Sequence, residues 1–172
     1  QAWRQGNPMD TNADSVDIER EPSSYEDGNI AVLIDDRQSQ EVLADQISNN
    51  TDWQAIPISE PQLDTEESFN AYLFDMSCFK QHAETLQPIK TSQDVFLPFL
   101  LFVAPSRRAN LTEAVWEHVD DIIWSSIDSD SEPRLDDQFQ FELKGRLQNL
   151  LQHRETTAKL NRRKQATRIL NR

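Results

Sequence analysis

The chain has 172 residues, with 30 acids against 17 Lys plus Arg, a net charge of −13 and 37% hydrophobic residues. That is the size of one domain with extensions, and the apolar share suffices for a modest core with unstructured ends. A single cysteine, Cys78, excludes an intrachain disulfide framework and a cysteine zinc site, and the three glycines leave no phosphate-cradling loop or dinucleotide fingerprint.

No apolar run approaches the length needed to cross a bilayer, and residues 1–28 lack a signal-peptide pattern. A cytoplasmic setting is therefore expected. The charge is unevenly spread. Residues 1–142 carry 29 acids and 8 Lys plus Arg (net −21), whereas residues 143–172 carry 1 acid, Glu155, and 9 Lys plus Arg (net +8). An acidic body is a poor nucleic-acid binder, and the basic end reads as a solvated helix face.

Residues 1–28 are rich in Pro, Ser and acids and read as a disordered leader, with Met9 as a coding start. Ile30 to Ile34 form an unbroken apolar run, the pattern of a strand buried on both faces of a parallel sheet. Asp35 and Asp36 follow at once. Arg37 to Ser48 has helical spacing, with Val42, Leu43, Ala44 and Ile47 as its apolar positions. Trp53 to Ile58 is a short strand that Pro57 demotes to an edge. Glu60 to Ser68 is acidic and irregular, with at most a shortened helix. Ala71 to Phe74 is the next strand and ends on Asp75; Cys78 to Leu86 is a short helix, and Pro88 to Asp94 a loop.

Val95 to Val103 is the most hydrophobic stretch, and its second half is expected to be a central strand. Pro105 to Asn110 reads as a basic loop and Leu111 to Val119 as a helix with Leu111, Ala114, Val115 and Val119 inward. Asp121 to Trp124 is a fifth short strand. From Phe139 the pattern is helical, with Asp136 and Asp137 as capping acids and Leu143, Leu147, Leu150 and Leu151 as an apolar stripe. Past His153 the stripe thins. Trp53, Phe102 and Trp124 are expected in the core. Strand and helix alternate five times, which predicts an α/β fold: a doubly wound five-stranded parallel sheet with a C-terminal helical extension.

In a flavodoxin-like order, 2-1-3-4-5, the first and third strands are neighbours at the topological switch point, and Asp35, Asp36 and Asp75 then converge on one crevice at their carboxyl ends. Oxygen ligands of this kind suit a hard cation such as Mg²⁺. The plainer role for the pair is to end a strand and cap the next helix. His82, His118 and His153 show no metal spacing, and Cys78, without a paired His, reads as a buried small residue.

The acid pair after the first strand, the acid ending the third and the surrounding pattern, over roughly residues 29–150, resemble the receiver domains of two-component response regulators. The resemblance implies the flavodoxin-like fold, Mg²⁺ held at Asp35, Asp36 and Asp75, and Asp75 as the phosphoacceptor. Two positions depart from the family. Val103 stands where receivers carry Ser or Thr at the end of the fourth strand, and Ser125 where they carry Lys after the fifth. Without that ammonium, metal or proton uptake has to relieve the repulsion among the carboxylates. Asp36-Arg37-Gln38 and Phe96-Leu97-Pro98-Phe99-Leu100-Leu101 look like the atypical receivers, or pseudo-receivers, at the front of sensor histidine kinases.

Three functions follow as expectations. The first is a receiver-like signalling module with a degenerate phosphoryl switch that transmits through its C-terminal helix to a histidine kinase or to following sensor or kinase domains. The second is a working receiver phosphorylated on Asp75, with Ser125, Arg107 or Arg108 in place of Lys. The third is a Mg²⁺-dependent α/β phosphatase, which lacks a general base. Domain limits are expected at 29–151 for the receiver-like unit and 152–172 for a basic helical linker. The spacing of Leu143, Leu147 and Leu150 suggests homodimer formation through that helix. The helical pattern reaches Arg172 uncapped, so the chain is expected to continue.

Overall fold

A computed structural model describes residues 28–61, 69–92, 95–125 and 135–170. Five strands, β1 (Asn29–Leu33), β2 (Gln54–Pro57), β3 (Ala71–Asp75), β4 (Phe99–Val103) and β5 (Asp121–Trp124), form one sheet. Its order is β2-β1-β3-β4-β5, and every neighbouring pair is parallel. Four helices lie among the described residues: α1 (Arg37–Asn50), α2 (Met76–Thr91), α3 (Glu113–His118) and α4 (Asp137–Leu170).

The central strands are buried on both faces because each face meets a separate apolar layer. Ile30, Val32, Leu73, Leu100 and Phe102 pack with Leu43 and Ile47 of α1 and with Phe139, Leu143, Leu147 and Leu151 of α4. The alternate residues Ala31, Leu33, Phe74, Phe99, Leu101 and Val103 pack with Phe79, Leu86 and Ile89 of α2 and Val115 of α3. Period-two alternation thus divides an all-apolar run between two cores. Pro57 ends β2 at the sheet edge, where a missing donor costs nothing.

Several elements differ from expectation. The helix after β3 does not stop at Leu86. It runs through Pro88 to Thr91, because Ile89 on the same face is buried and Ser92 N–H closes the end on Pro88 O. One missing donor in the last turn is a smaller loss than exposing that face. The segment Pro105–Asn110 is a 3₁₀ helix kinked at Arg107 rather than an open loop. Helix α3 is shorter than predicted. Thr112 caps it, Val119 is already extended, and Ala114 faces solvent. Trp124 is 46% exposed and not a core residue, because it ends an edge strand, with the Arg108 guanidinium 5.9 Å from its ring centroid. Trp53 and Phe102 are buried as expected. Residues 1–27 and 62–68, on which the leader and the shortened helix were predicted, lie outside the described residues.

Helix α4 stays against the domain beyond Leu151. Phe96, just before β4, donates its N–H to Thr157 Oγ1 (3.1 Å), accepts from Arg154 on its carbonyl (2.9 Å) and sets its ring against His153 at 4.6 Å. The same segment is held from the other side: Lys90 Nζ donates to Leu97 O (2.7 Å) and pairs with Asp120 (2.6 Å).

Candidate functional site

The ends of β1 and β3 place Asp35, Asp36 and Asp75 on the carboxyl edge of the sheet, at the neighbouring pair where the strand order reverses. Asp75 is the last residue of β3 and only 3% exposed. Both of its oxygens accept backbone donors: Oδ2 takes the Asp35 N–H (3.0 Å) and Oδ1 the Cys78 N–H (2.9 Å). The second bond makes Asp75 the N-cap of α2, the first ties it to the loop after β1.

Asp36 is exposed and caps α1. Its Oδ2 accepts from Ser39 N–H (3.0 Å) and Ser39 Oγ (2.7 Å), and these bonds, the hydroxyl's first, hold its carboxyl below the usual carboxylate range. The capping role for the pair is therefore met at Asp36, while Asp35 is an exposed carboxylate after β1. Val103 is fully buried in the apolar layer under α2 and α3, and its carbonyl accepts from Ser125 N–H at 2.9 Å. Ser125 itself is buried. The two positions where receivers carry a hydroxyl and an ammonium are thus joined by one backbone bond. Among the described residues no Lys or Arg forms an ion pair with Asp75.

The metal reading has to fit this donor set. Among the described residues no group of three or more His, Cys, Asp or Glu side chains could hold a metal ion. Asp75 Oδ1 and Asp36 Oδ2 accept from helix N-termini, and Asp75 Oδ2 accepts from the loop after β1. Arg108 lies over Trp124. Cys78 is buried as expected.

Two supporting residues were missed by the sequence reading. Ser39 follows Asp36 by three, a spacing that signals a cap. Gln40 is buried and donates from Nε2 to Val32 O (2.7 Å) and Ile58 O (2.9 Å), locking the end of β2 to β1. Nothing in the local pattern marks Gln40, since its partners are distant in sequence.

The fold is that of response-regulator receiver domains. Full-length FixJ from B. japonicum superposes with a TM-score of 0.56 at 20% identity, over 77% of this chain and 61% of that one. A protein from Burkholderia pseudomallei described as pilus assembly-related superposes with a TM-score of 0.52 at 15% identity, over 77% of this chain and 96% of that one. The chain thus spans about three-fifths of the length of FixJ. No family model matches the chain, and no curated protein matches it by sequence. No helix among the described residues is long and apolar enough to cross a membrane.

Proposed function

We propose that this chain is a receiver-like signalling module of a two-component system, with an attenuated phosphoryl switch and α4 as its output element. The observation that carries the reading is the state of Asp75. It sits where a receiver holds its phosphoacceptor, yet it is buried, and backbone amides occupy both oxygens. Val103 supplies methyl groups and Ser125 a hydroxyl where a phosphoryl group needs a hydroxyl and an ammonium. Such a domain works by docking in the cytoplasm against a histidine kinase or against sensor or kinase domains joined to it, not by turnover. Residues 29–151 form the docking unit, residues 152–172 form the linker, and pairing of two copies through the C-terminal helix is the route by which the state is passed on.

A second reading is a working receiver that takes a phosphoryl group on Asp75, with Mg²⁺ at Asp35 and Asp36. It is favoured by the 3.0 Å bond that sets the Asp35 backbone against the Asp75 carboxylate. Incubating the chain with a small phosphodonor and Mg²⁺, then recording intact mass, separates the readings. An unmodified chain and unconsumed donor are expected. A stable adduct lost in Asp75→Asn establishes the second reading, and steady consumption of donor establishes a phosphatase.

A further inference from the structure

Five large apolar residues are exposed among the described residues: Val42, Trp116, Trp124, Phe141 and Leu160. Leu160 sits in a basic helix face, and Val42 and Trp116 sit in acidic ones, Trp116 beside the exposed Glu113 and Glu117 of α3. On α1, Val42 (39% exposed) lies between Glu41 and Asp45, both exposed. On the end of α4, Leu160 (48% exposed) is followed at i+3 and i+4 by Arg163 and Lys164, also exposed. None of Glu41, Asp45, Arg163 and Lys164 takes part in an ion pair among the described residues. Val42 and Leu160 are both open, so their two faces do not cover each other within one copy.

We propose that the α4 face Leu160, Arg163 and Lys164 docks on the α1 face Glu41, Val42 and Asp45 of a second copy of the chain. The inference rests on the reading of α4 as the pairing element and says which surface it pairs with. Charge selects an acidic face over a second tail, and of the two acidic faces α1, at 14 residues against 6 for α3, offers the longer helix. Extending the Leu143, Leu147, Leu150 spacing lands on Arg154, Thr157, Asn161, Lys164 and Arg168, so two tails laid side by side would oppose like charges. A tail of net +6 (residues 152–172, 7 Lys plus Arg and 1 acid) laid on a body of net −19 (residues 1–151, 29 acids and 10 Lys plus Arg) brings opposite charges together. Leu160 against Val42 supplies the apolar contact that an exposed ion pair alone lacks. The same body charge disfavours nucleic acid as the occupant.

Sedimentation velocity of the full chain at about 50 mM and about 500 mM salt tests the proposal, since screening grows severalfold across that range. Self-association is expected at low salt and should fade at high salt. Arg163→Glu with Lys164→Glu should weaken it about tenfold or more, and Glu41→Lys with Asp45→Lys by a similar factor. The four changes in one chain should recover most of the loss. Leu160→Ser should weaken association without changing its salt dependence. All these positions are exposed, and thermal unfolding of each variant checks that the fold is kept. A chain carrying Lys164→Cys, mixed with one carrying Asp45→Cys, should oxidise to a disulfide-linked pair; native Cys78 is buried.

A monomer at every salt overturns the proposal. So does association that the α1 reversals leave unchanged, which means tail-to-tail pairing. Cross-linking at monomer mass when both cysteines sit in one chain, without the mixed pair, also overturns it. Retention of duplex DNA that the tail reversals abolish, with no self-association, assigns the tail to a polyanion instead. The phosphodonor result is independent of all these outcomes.

Discussion

Asp75 Oδ2 accepts the backbone N–H of Asp35 at 3.0 Å, across forty residues of sequence and between neighbouring strand ends. With the Cys78 N–H on Oδ1 at 2.9 Å, the buried carboxylate is a joint between the β1 loop and the start of α2. The residue that the receiver pattern marks for chemistry is here also a structural acceptor.

That joint makes stability the first readout. Asp75→Ala removes a cap and leaves a buried donor unmet, so it should cost about 2–3 kcal/mol. Asp75→Asn keeps one carbonyl acceptor and should cost about half as much. Urea unfolding measures both. Equal stability of Asp75→Ala and the parent chain would remove the capping role.

Asp36 gives a pH dependence of known sign. Its folded-state pKa is lowered by the Ser39 hydroxyl and amide. A depressed carboxyl stabilises the fold above its unfolded pKa and loses that contribution as pH falls through the folded value, here below about pH 4. The difference in thermal midpoint between the parent and Asp36→Ala should be constant from about pH 5 to 7 and shrink on further acidification. A difference that widens in acid contradicts the assignment.

A phosphoryl mimic with Mg²⁺ should perturb little beyond the edge of the site. Val103 offers no hydroxyl and Ser125 no ammonium, so the distal strands have no differential contact with the ligand. In NMR spectra, shifts are expected near Asp35–Ser39 and Asp75–Cys78. Large shifts across Leu111–Trp124 would show a working switch.

Much of this was legible in the sequence for identifiable reasons. Ile30–Ile34 and Leu100–Val103 are unbroken apolar runs, and only strands covered on both sides read that way. The alternation of strands and helices argued for a parallel doubly wound sheet, and the flavodoxin-like order of the receiver pattern brought Asp35 and Asp75 together. Residue type alone did not show the capping: Asp36 and Asp75 each accept a helix N-terminal amide, from Ser39 and Cys78 N–H, and those bonds are not visible in the sequence. Long-range contacts were invisible too. Pro88 stays helical because Ile89 is buried, and Trp124 is exposed at the end of β5, the edge strand of the sheet.

Gly145 lies inside α4, and a Cβ there would meet nothing within 4 Å. The glycine therefore costs helix stability with no steric need in the single chain. Gly145→Ala should raise stability by about 1 kcal/mol, read as a higher urea midpoint at unchanged slope. A loss of stability would mean that the open space is filled by a partner surface.

The last prediction concerns where α4 leaves the domain. Leu143, Leu147 and Leu151 are buried, and the bonds from Phe96 reach Arg154 and Thr157. Beyond Ala158 the described residues are mostly exposed. The thirteen residues from Ala158 to Leu170 span about 20 Å at 1.5 Å per residue. An isolated helix of that length is marginal in water. In dilute solution, amide exchange should therefore be slow to about Thr157 and fast after it. Arg154→Met with Thr157→Val removes both side-chain anchors to Phe96, so the boundary should retreat toward Leu151. If the tail docks on a second copy, protection after Thr157 should appear as concentration rises and vanish in Glu41→Lys with Asp45→Lys. Slow exchange through Arg168 at every concentration would show instead that the rod is stable by itself, and that the Phe96 anchor does not set its limit.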